Sequence, residues 1–301
     1  MKKSFPFILA ALLAMSCSEP FDLQTKGQEK VYLCVEAALT DAPSVQTVRL
    51  SESIDYDSTE DVPYVSGAAV TVSDGVTTWD FLERDGAPGR YDSPKGFCCE
   101  KGKTYTLDVE CELSNGRHGH YNASSMMPDN GFDIDRIDYK ILGEPKDSTW
   151  VLGVWGKDHP ETNYFLITTA VNGIISPTTS LLERSMLMPD TYFNNSYVSG
   201  FPIAYLYQNS YQYKKYGECA KPLKQGDFVS MVVYTLSKEY YDFITALSTA
   251  SSGINIPVIS SQPANIPTNI TGGDAVGYFA ACPLMIVTCR VDDPYRKEFG
   301  R

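Results

Sequence analysis

Apolar and polar residues alternate through much of the chain. Val31-Tyr32-Leu33-Cys34-Val35 puts every second side chain on one apolar face. Tyr105, Leu107, Val109 and Cys111 repeat the pattern, with Thr106, Asp108 and Glu110 between them. A period of two marks a strand with one face on a core and the other toward water. Two further strand-like runs, 69–73 and 76–81, flank Asp74-Gly75, a dipeptide suited to the positive φ values of a tight hairpin. Gly86, Gly89, Gly96 and Gly102 mark further turns. Residues 28–127 therefore predict six or seven short antiparallel strands, packed as an immunoglobulin-like or transthyretin-like sandwich.

Met127-Pro128-Asp129-Asn130-Gly131 interrupts the pattern, and such breaker clusters mark boundaries. It divides an N-terminal β-sandwich domain, 28–127, from a C-terminal β-rich domain, 128–301. Strands are expected in the latter at 134–142, 149–155, 164–171, 228–236 and within 275–291. One segment changes period: Tyr240, Phe243, Ile244 and Leu247 share a helical face behind Ser237, with Gly253 beyond. Ser is a good N-cap and Gly a good stop, so one helix is expected there. The fold class is mostly β, a sandwich followed by a β-rich domain with one helix. The low-charge run 253–273 reads as a long loop. Its asparagines and Gly272-Gly273 favour a rigid plug that seals the sandwich over a ligand loop.

The first residues look like an address. Lys2 and Lys3 precede the apolar run Phe5 to Met15, too short for a bilayer span but suited to an export signal. It ends in Leu13-Ala14-Met15-Ser16-Cys17, which resembles the lipobox of bacterial lipoproteins, with Ala14 where Leu is commoner. The resemblance implies a signal peptide at 1–16, acylation of Cys17 and a lipid-anchored linker at 17–27. Acyl chains contribute about 0.8 kcal/mol per buried CH2, so two or three on one residue give stable anchoring.

Composition narrows the function classes. The 301 residues are 43% hydrophobic and 21% charged, an ordinary globular mixture. A net charge of −12 argues against nucleic acid as a partner. Three histidines make a histidine-based hydrolase hard to assemble, and no Gly-x-Ser-x-Gly elbow, His-Glu-x-x-His or phosphate loop occurs. No catalytic residues, cofactor or metal are therefore assigned. His118 and His120 share a strand face but lack a third ligand nearby in sequence. Asp133, Asp135, Asp138, Asp292 and Asp293 lack the spacing of a calcium loop and read as solvated carboxylates. Besides Cys17 there are seven cysteines: Cys34, Cys98, Cys99, Cys111, Cys219, Cys282 and Cys289. Buried free thiols and bridges both fit them, including Cys282 with Cys289 across a hairpin.

Tyrosine is concentrated at Tyr192, Tyr197, Tyr205, Tyr207, Tyr211, Tyr213 and Tyr216. Tyr205, Tyr207, Tyr211 and Tyr213 share parity, so an extended strand shows them on one face. They are the candidate ligand- or partner-binding residues, since phenol rings give broad contact at small entropic cost. An aromatic sheet face packed under the following loop is the alternative.

One longer resemblance covers nearly all of the mature chain. The run 261–279, with Asn265, Asn269, Gly272-Gly273 and Gly277-Tyr278-Phe279, resembles the C-terminal signature of a Bacteroidetes lipoprotein family, the domain of unknown function 4249. Residues 65–72, Gly89-Arg90-Tyr91 and 102–107 are similar to its N-terminal half. The resemblance implies a lipid-anchored protein of the outer membrane, surface-exposed, that accompanies a TonB-dependent transporter in nutrient capture. A glycan or peptide is the ligand class the tyrosines suit. A structural or adhesive protein such as a fimbrial subunit is the alternative. The family carries no agreed catalytic residues, so none are transferred.

Overall fold

Alternation becomes sheet where the sequence predicts it. In a computed structural model, residues 31–54, 61–143, 148–175, 185–191, 193–208, 223–251 and 266–300 are described. β1 (Leu33–Thr40) buries Leu33, Val35, Ala37 and Leu39. β2 (Thr47–Glu52), β3 (Ala69–Ser73), β4 (Thr78–Glu83) and β5 (Arg90–Asp92) follow. β6 (Thr104–Glu112) buries Tyr105, Leu107, Val109 and Cys111 and pairs with β7 (His118–Met126). Asp74 turns the β3–β4 hairpin, its Oδ1 accepting the N–H groups of Val76 at 3.1 Å and Thr77 at 2.8 Å.

The later strands are β8 (Phe132–Leu142), β9 (Ser148–Asp158), β10 (Tyr164–Val171), β11 (Ile174–Ile175), β12 (Met186–Pro189), β13 (Tyr197–Gln208) and β14 (Phe228–Leu236). The helix α1 (Lys238–Ser251) precedes β15 (Ala275–Cys282) and β16 (Leu284–Arg290). Ser237 caps α1 as expected, its Oγ accepting the Tyr240 N–H at 3.2 Å. Ile244 is buried, while Leu247 is exposed, one turn beyond the aromatic contact that Tyr240 and Phe243 make with Tyr278.

Three sheets result. The largest has the order β15-β1-β2-β5-β4-β3-β6-β7. A second has β11-β10-β14-β16 with β12 also on β10, and a third has β13-β9-β8. The first core lies inside the large sheet, and a second core lies between the other two. On either side of the expected boundary at 127/128, Met127 packs in the first core and Phe132 in the second. The chain does not respect it afterwards. β15 returns to pair in parallel with β1, in register from Leu33↔Ala275 to Thr40↔Cys282, and residues 31–301 form one compact unit.

From Tyr278 to Cys282, β15 is buried on both faces. Phe279 and Ala281 complete the first core, and Tyr278, Ala280 and Cys282 pack with Ile244 of α1 and with Leu166 and Leu236. Pro283 alone separates β15 from β16, which pairs with β14 in the second sheet. Proline cannot donate to a ladder, so one extended run changes sheets there. The expected hairpin between Cys282 and Cys289 is therefore replaced by a sheet switch, which places the two thiols in different sheets. All six described cysteines are free. Burial pushes the Cys99 thiol up to about 12 and the Cys34 and Cys111 thiols up to about 11, as inert apolar fillers.

The large sheet nearly closes on itself, and segment 266–274 seals the gap. Asn269 Nδ2 donates to Ser124 O at 3.1 Å and Phe279 O at 2.7 Å, while its Oδ1 accepts the Phe279 N–H at 3.0 Å. One amide thus bridges β7 to β15 in place of a ladder. Thr271 pairs with Asn122 through both backbone bonds, and Ile270 enters the first core. For its described part, the loop is the plug that its composition suggested.

Two predictions follow from this closure. Gly277 has φ 94°, and a Cβ there would overlap the Val35 carbonyl oxygen. Gly277→Val should therefore cost roughly 4 kcal/mol or more, read as a lost or sharply lowered thermal transition. Asn269→Asp keeps the shape but sets a carboxylate against two carbonyls. It should lower stability in denaturant titration by about 2–3 kcal/mol, at least as much as Asn269→Ala.

Candidate functional site

The outer face of the β13-β9-β8 sheet concentrates aromatic and basic side chains. A register shift between Ile134 and Arg136 on β8 changes which residues face outward, a usual effect of a bulge. The Arg136 guanidinium lies 3.8 Å over the ring of Trp155 on β9. Trp155 meets Phe299 edge-on at 5.2 Å, and Lys140 Nζ lies 4.7 Å from the Phe299 ring. Gly153 makes room, since a Cβ there would stand 2.7 Å from Phe299 Cζ. Cation–π contacts of this kind contribute about 0.5–1 kcal/mol at exposed sites.

Segment 292–300 is held in place by a polar clamp at the β8 edge. The buried Tyr139 hydroxyl donates to Asp292 Oδ1 at 2.6 Å and accepts the N–H groups of Asp292 and Asp293. Arg296 donates to Asp138 Oδ1 at 2.7 Å and to both Asp292 oxygens, with its guanidinium 4.6 Å over the Tyr139 ring. Hydrogen bonding from Tyr139, then the field of Arg296, holds the Asp292 carboxyl below its ordinary value. Burial, then the hydrogen bond to Asp292, raises the Tyr139 hydroxyl. Of the aspartates expected to be solvated, Asp138 is instead buried, as the acceptor of this clamp.

The expected tyrosines are placed in part. Tyr205 lies on β13 opposite Val151 and is 47% exposed, on the side away from buried Leu206. The backbone of Tyr207 pairs with Thr149 in the same strand. Tyr211, Tyr213 and Cys17 lie outside the described residues. Tyr197, at the start of β13, is 56% exposed and donates its hydroxyl to Asp135 Oδ2 at 2.9 Å. That bond raises its hydroxyl pKa.

Sequence reading missed Trp155, Arg136 and Phe299. The period-two pattern that predicted the strand ending at Trp155 was the available signal for that residue. Nothing local pointed to Phe299, which is 144 positions away on the other side of the face. What the face offers chemically is π surface bordered by guanidinium, ammonium and phenol groups, a set that grips a ligand or partner.

His118 and His120 also find partners on β6. His120 Nε2 is 2.7 Å from Asp108 Oδ2, and His118 Nε2 is 3.4 Å from Glu112 Oε2. The Asp108 bond raises the His120 pKa. Donor atoms of Asp108, Glu110 and His120 all lie within 4.8 Å of one another. The third potential ligand, absent from the local sequence, thus comes from the neighbouring strand. The group is at the surface, where water serves such donors equally well.

Phe299→Ala should uncover Trp155. The expected result is a red-shifted intrinsic fluorescence with easier acrylamide quenching, and a stability loss of about 1–2 kcal/mol.

No curated protein matches the chain. The family model described as Domain of unknown function (DUF4249) matches residues 18–284. With that match spanning most of its length and with this mostly-β body, the chain belongs to the DUF4249 family.

Proposed function

We propose that this protein is a lipid-anchored cell-surface binding protein that serves a TonB-dependent outer-membrane transporter in nutrient capture. The observation that carries the reading is Cys17, which ends an apolar run behind two lysines. The family match begins at the next residue. Acyl chains on that cysteine tether the protein to the outer membrane, and residues 17–27 act as the linker. Among the described residues, no helix is long and apolar enough to cross a membrane. The binding surface is the aromatic face around β13, with exposed Tyr197 near Arg136 and exposed Tyr205 further along the strand, opposite Val151. Its chemistry suits a glycan or a peptide, held by stacking and hydrogen bonds without bond cleavage. A polymerising fimbrial subunit needs a vacant strand position for its neighbour. Here β15 of the same chain already fills the edge of β1.

Isolation from native membranes tests this reading. Mass spectrometry should find Cys17 as the acylated N-terminus, and a barrel-type transporter should co-purify. An unmodified Cys17, or purification without any transporter, would overturn it. Screening oligosaccharides and peptides against the purified protein should yield a ligand. The Tyr197→Ala/Tyr205→Ala variant should bind that ligand at least about tenfold more weakly. Its thermal transition should stay within about 2 °C of the parent, because both rings are exposed.

A further inference from the structure

Two carboxylates lie fully buried at one end of the second core. Asp158 ends β9 and Asp190 follows β12, and neither exposes any surface. Each uses one oxygen. Asp158 Oδ2 accepts the Asn195 N–H at 2.9 Å, and Asp190 Oδ2 accepts the Asn163 N–H at 2.8 Å. Asp158 Oδ1 and Asp190 Oδ1 have no hydrogen-bond partner, nor has the buried Oδ1 of Asn130. Among the described residues these three oxygens are the only buried side-chain atoms in that condition. Buried polar atoms are nearly always paired, so three orphans of one chemical kind need a reason.

The three belong to one neighbourhood. Gly131, next to Asn130, accepts the His159 N–H at 3.0 Å, and His159 adjoins Asp158. On its other side Gly131 faces Asn163 so closely that a Cβ would overlap the amide. Asn163 is the residue that holds Asp190, and it also accepts the Asp190 N–H at 3.1 Å. Burial pushes the Asp158 carboxyl up to about 6, and the nearby Asp190 adds to the rise.

Among the described residues no basic side chain makes an ion pair or hydrogen bond to either carboxylate, and His159 and Lys157 reach Asp158 only through their fields. His159 pairs with Asp133 at 3.1 Å, and Lys157 is spent on the Asn195 carbonyl and amide oxygens. Two buried carboxylates with no direct ion-pair partner are disfavoured in the folded chain. A cation bound between them reverses that. Two carboxylates and an amide oxygen, with no nitrogen or sulfur donor, form the donor set of a hard cation. Calcium accepts carboxylate and carbonyl oxygens in flexible, irregular geometry, whereas magnesium demands a near-ideal octahedron at shorter distances.

We propose that Asp158, Asp190 and Asn130 ligate a calcium ion. The ion ties the end of β9 to the loop at 190–196 and to the junction at 128–131. That loop leads directly into β13, so the ion also fixes the start of the strand that carries Tyr197 and Tyr205. The site stands whether or not those tyrosines bind a ligand.

Calcium titration of the EGTA-stripped, full-length protein tests the proposal. Calorimetry should show one ion per chain with a dissociation constant below about 1 mM. Thermal unfolding in 5 mM CaCl2 should rise by roughly 5 °C over EGTA, with a smaller rise in MgCl2. Asp158→Asn and Asp190→Asn should each abolish both effects. Each removes a buried unpaired charge, so each should fold and melt no lower than the parent in EGTA. Terbium luminescence sensitised by the protein's aromatic residues, and quenched by added calcium, gives a readout on the unaltered chain. Absence of calcium binding by the parent protein would overturn the proposal. So would a calcium-induced shift that persists in either the Asp158→Asn or the Asp190→Asn variant, or equal stabilisation by magnesium.

Discussion

Two β-layers, each needing to bury an apolar face, are joined most firmly by a strand that belongs to both, and residues 275–290 supply it. From Tyr278 to Cys282 β15 has no solvent side, since alternate residues enter the first core and the cluster under α1. Its parallel pairing with β1 requires a long crossover, which here runs through β2 to β14 and α1. Gly277 sets the approach of β15 to β1, where the Val35 carbonyl leaves no space for a Cβ. Pro283 then ends the ladder and sends the chain into the second sheet. The seven-stranded unit at 33–126 thus lacks its edge and part of its core until the chain returns. Such distant pairings fold slowly, because loop closure precedes the contacts that reward it.

Acidic side chains do much of the internal joining, which gives the net negative charge a structural side. Glu83 accepts the N–H groups of Gly67 and Gly89, and Glu52 accepts from the Ser114 backbone and hydroxyl. Asp138 and Asp292 anchor segment 292–300 through Arg296 and Tyr139. Charge-assisted hydrogen bonds are stronger than neutral ones, so carboxylates suit turns and edges where backbone N–H groups lack ladder partners. Asn269 does the same at the seam of the large sheet, where donors and acceptors alternate and a carboxylate would not serve.

Local features were legible wherever one element carried its own signal. The alternation at 105–111, the Asp74-Gly75 hairpin and the Ser237 cap all depend on residues within a few positions of one another. The breaker at 127–131 marked the gap between the cores, but not the return of β15 across it. Shared parity left open whether Tyr205 faces water or a core, and the structure exposes it. Arg136, Trp155 and Phe299 stayed hidden because a bulge shifted the parity of β8 and because Phe299 arrives from a distant segment. Asp158 and Asp190 looked like any two of 37 acids.

By itself the sequence determined the kinds of elements, since hydrophobic period, capping and turn chemistry act over a turn of helix or a pair of residues. It also determined the family membership, which resides in residue order. Only the tertiary structure decided which strands share a sheet, which carboxylates lose their water, and which aromatic rings face outward. Those outcomes depend on pairing register and burial between residues in different elements of the chain, and no local pattern encodes them.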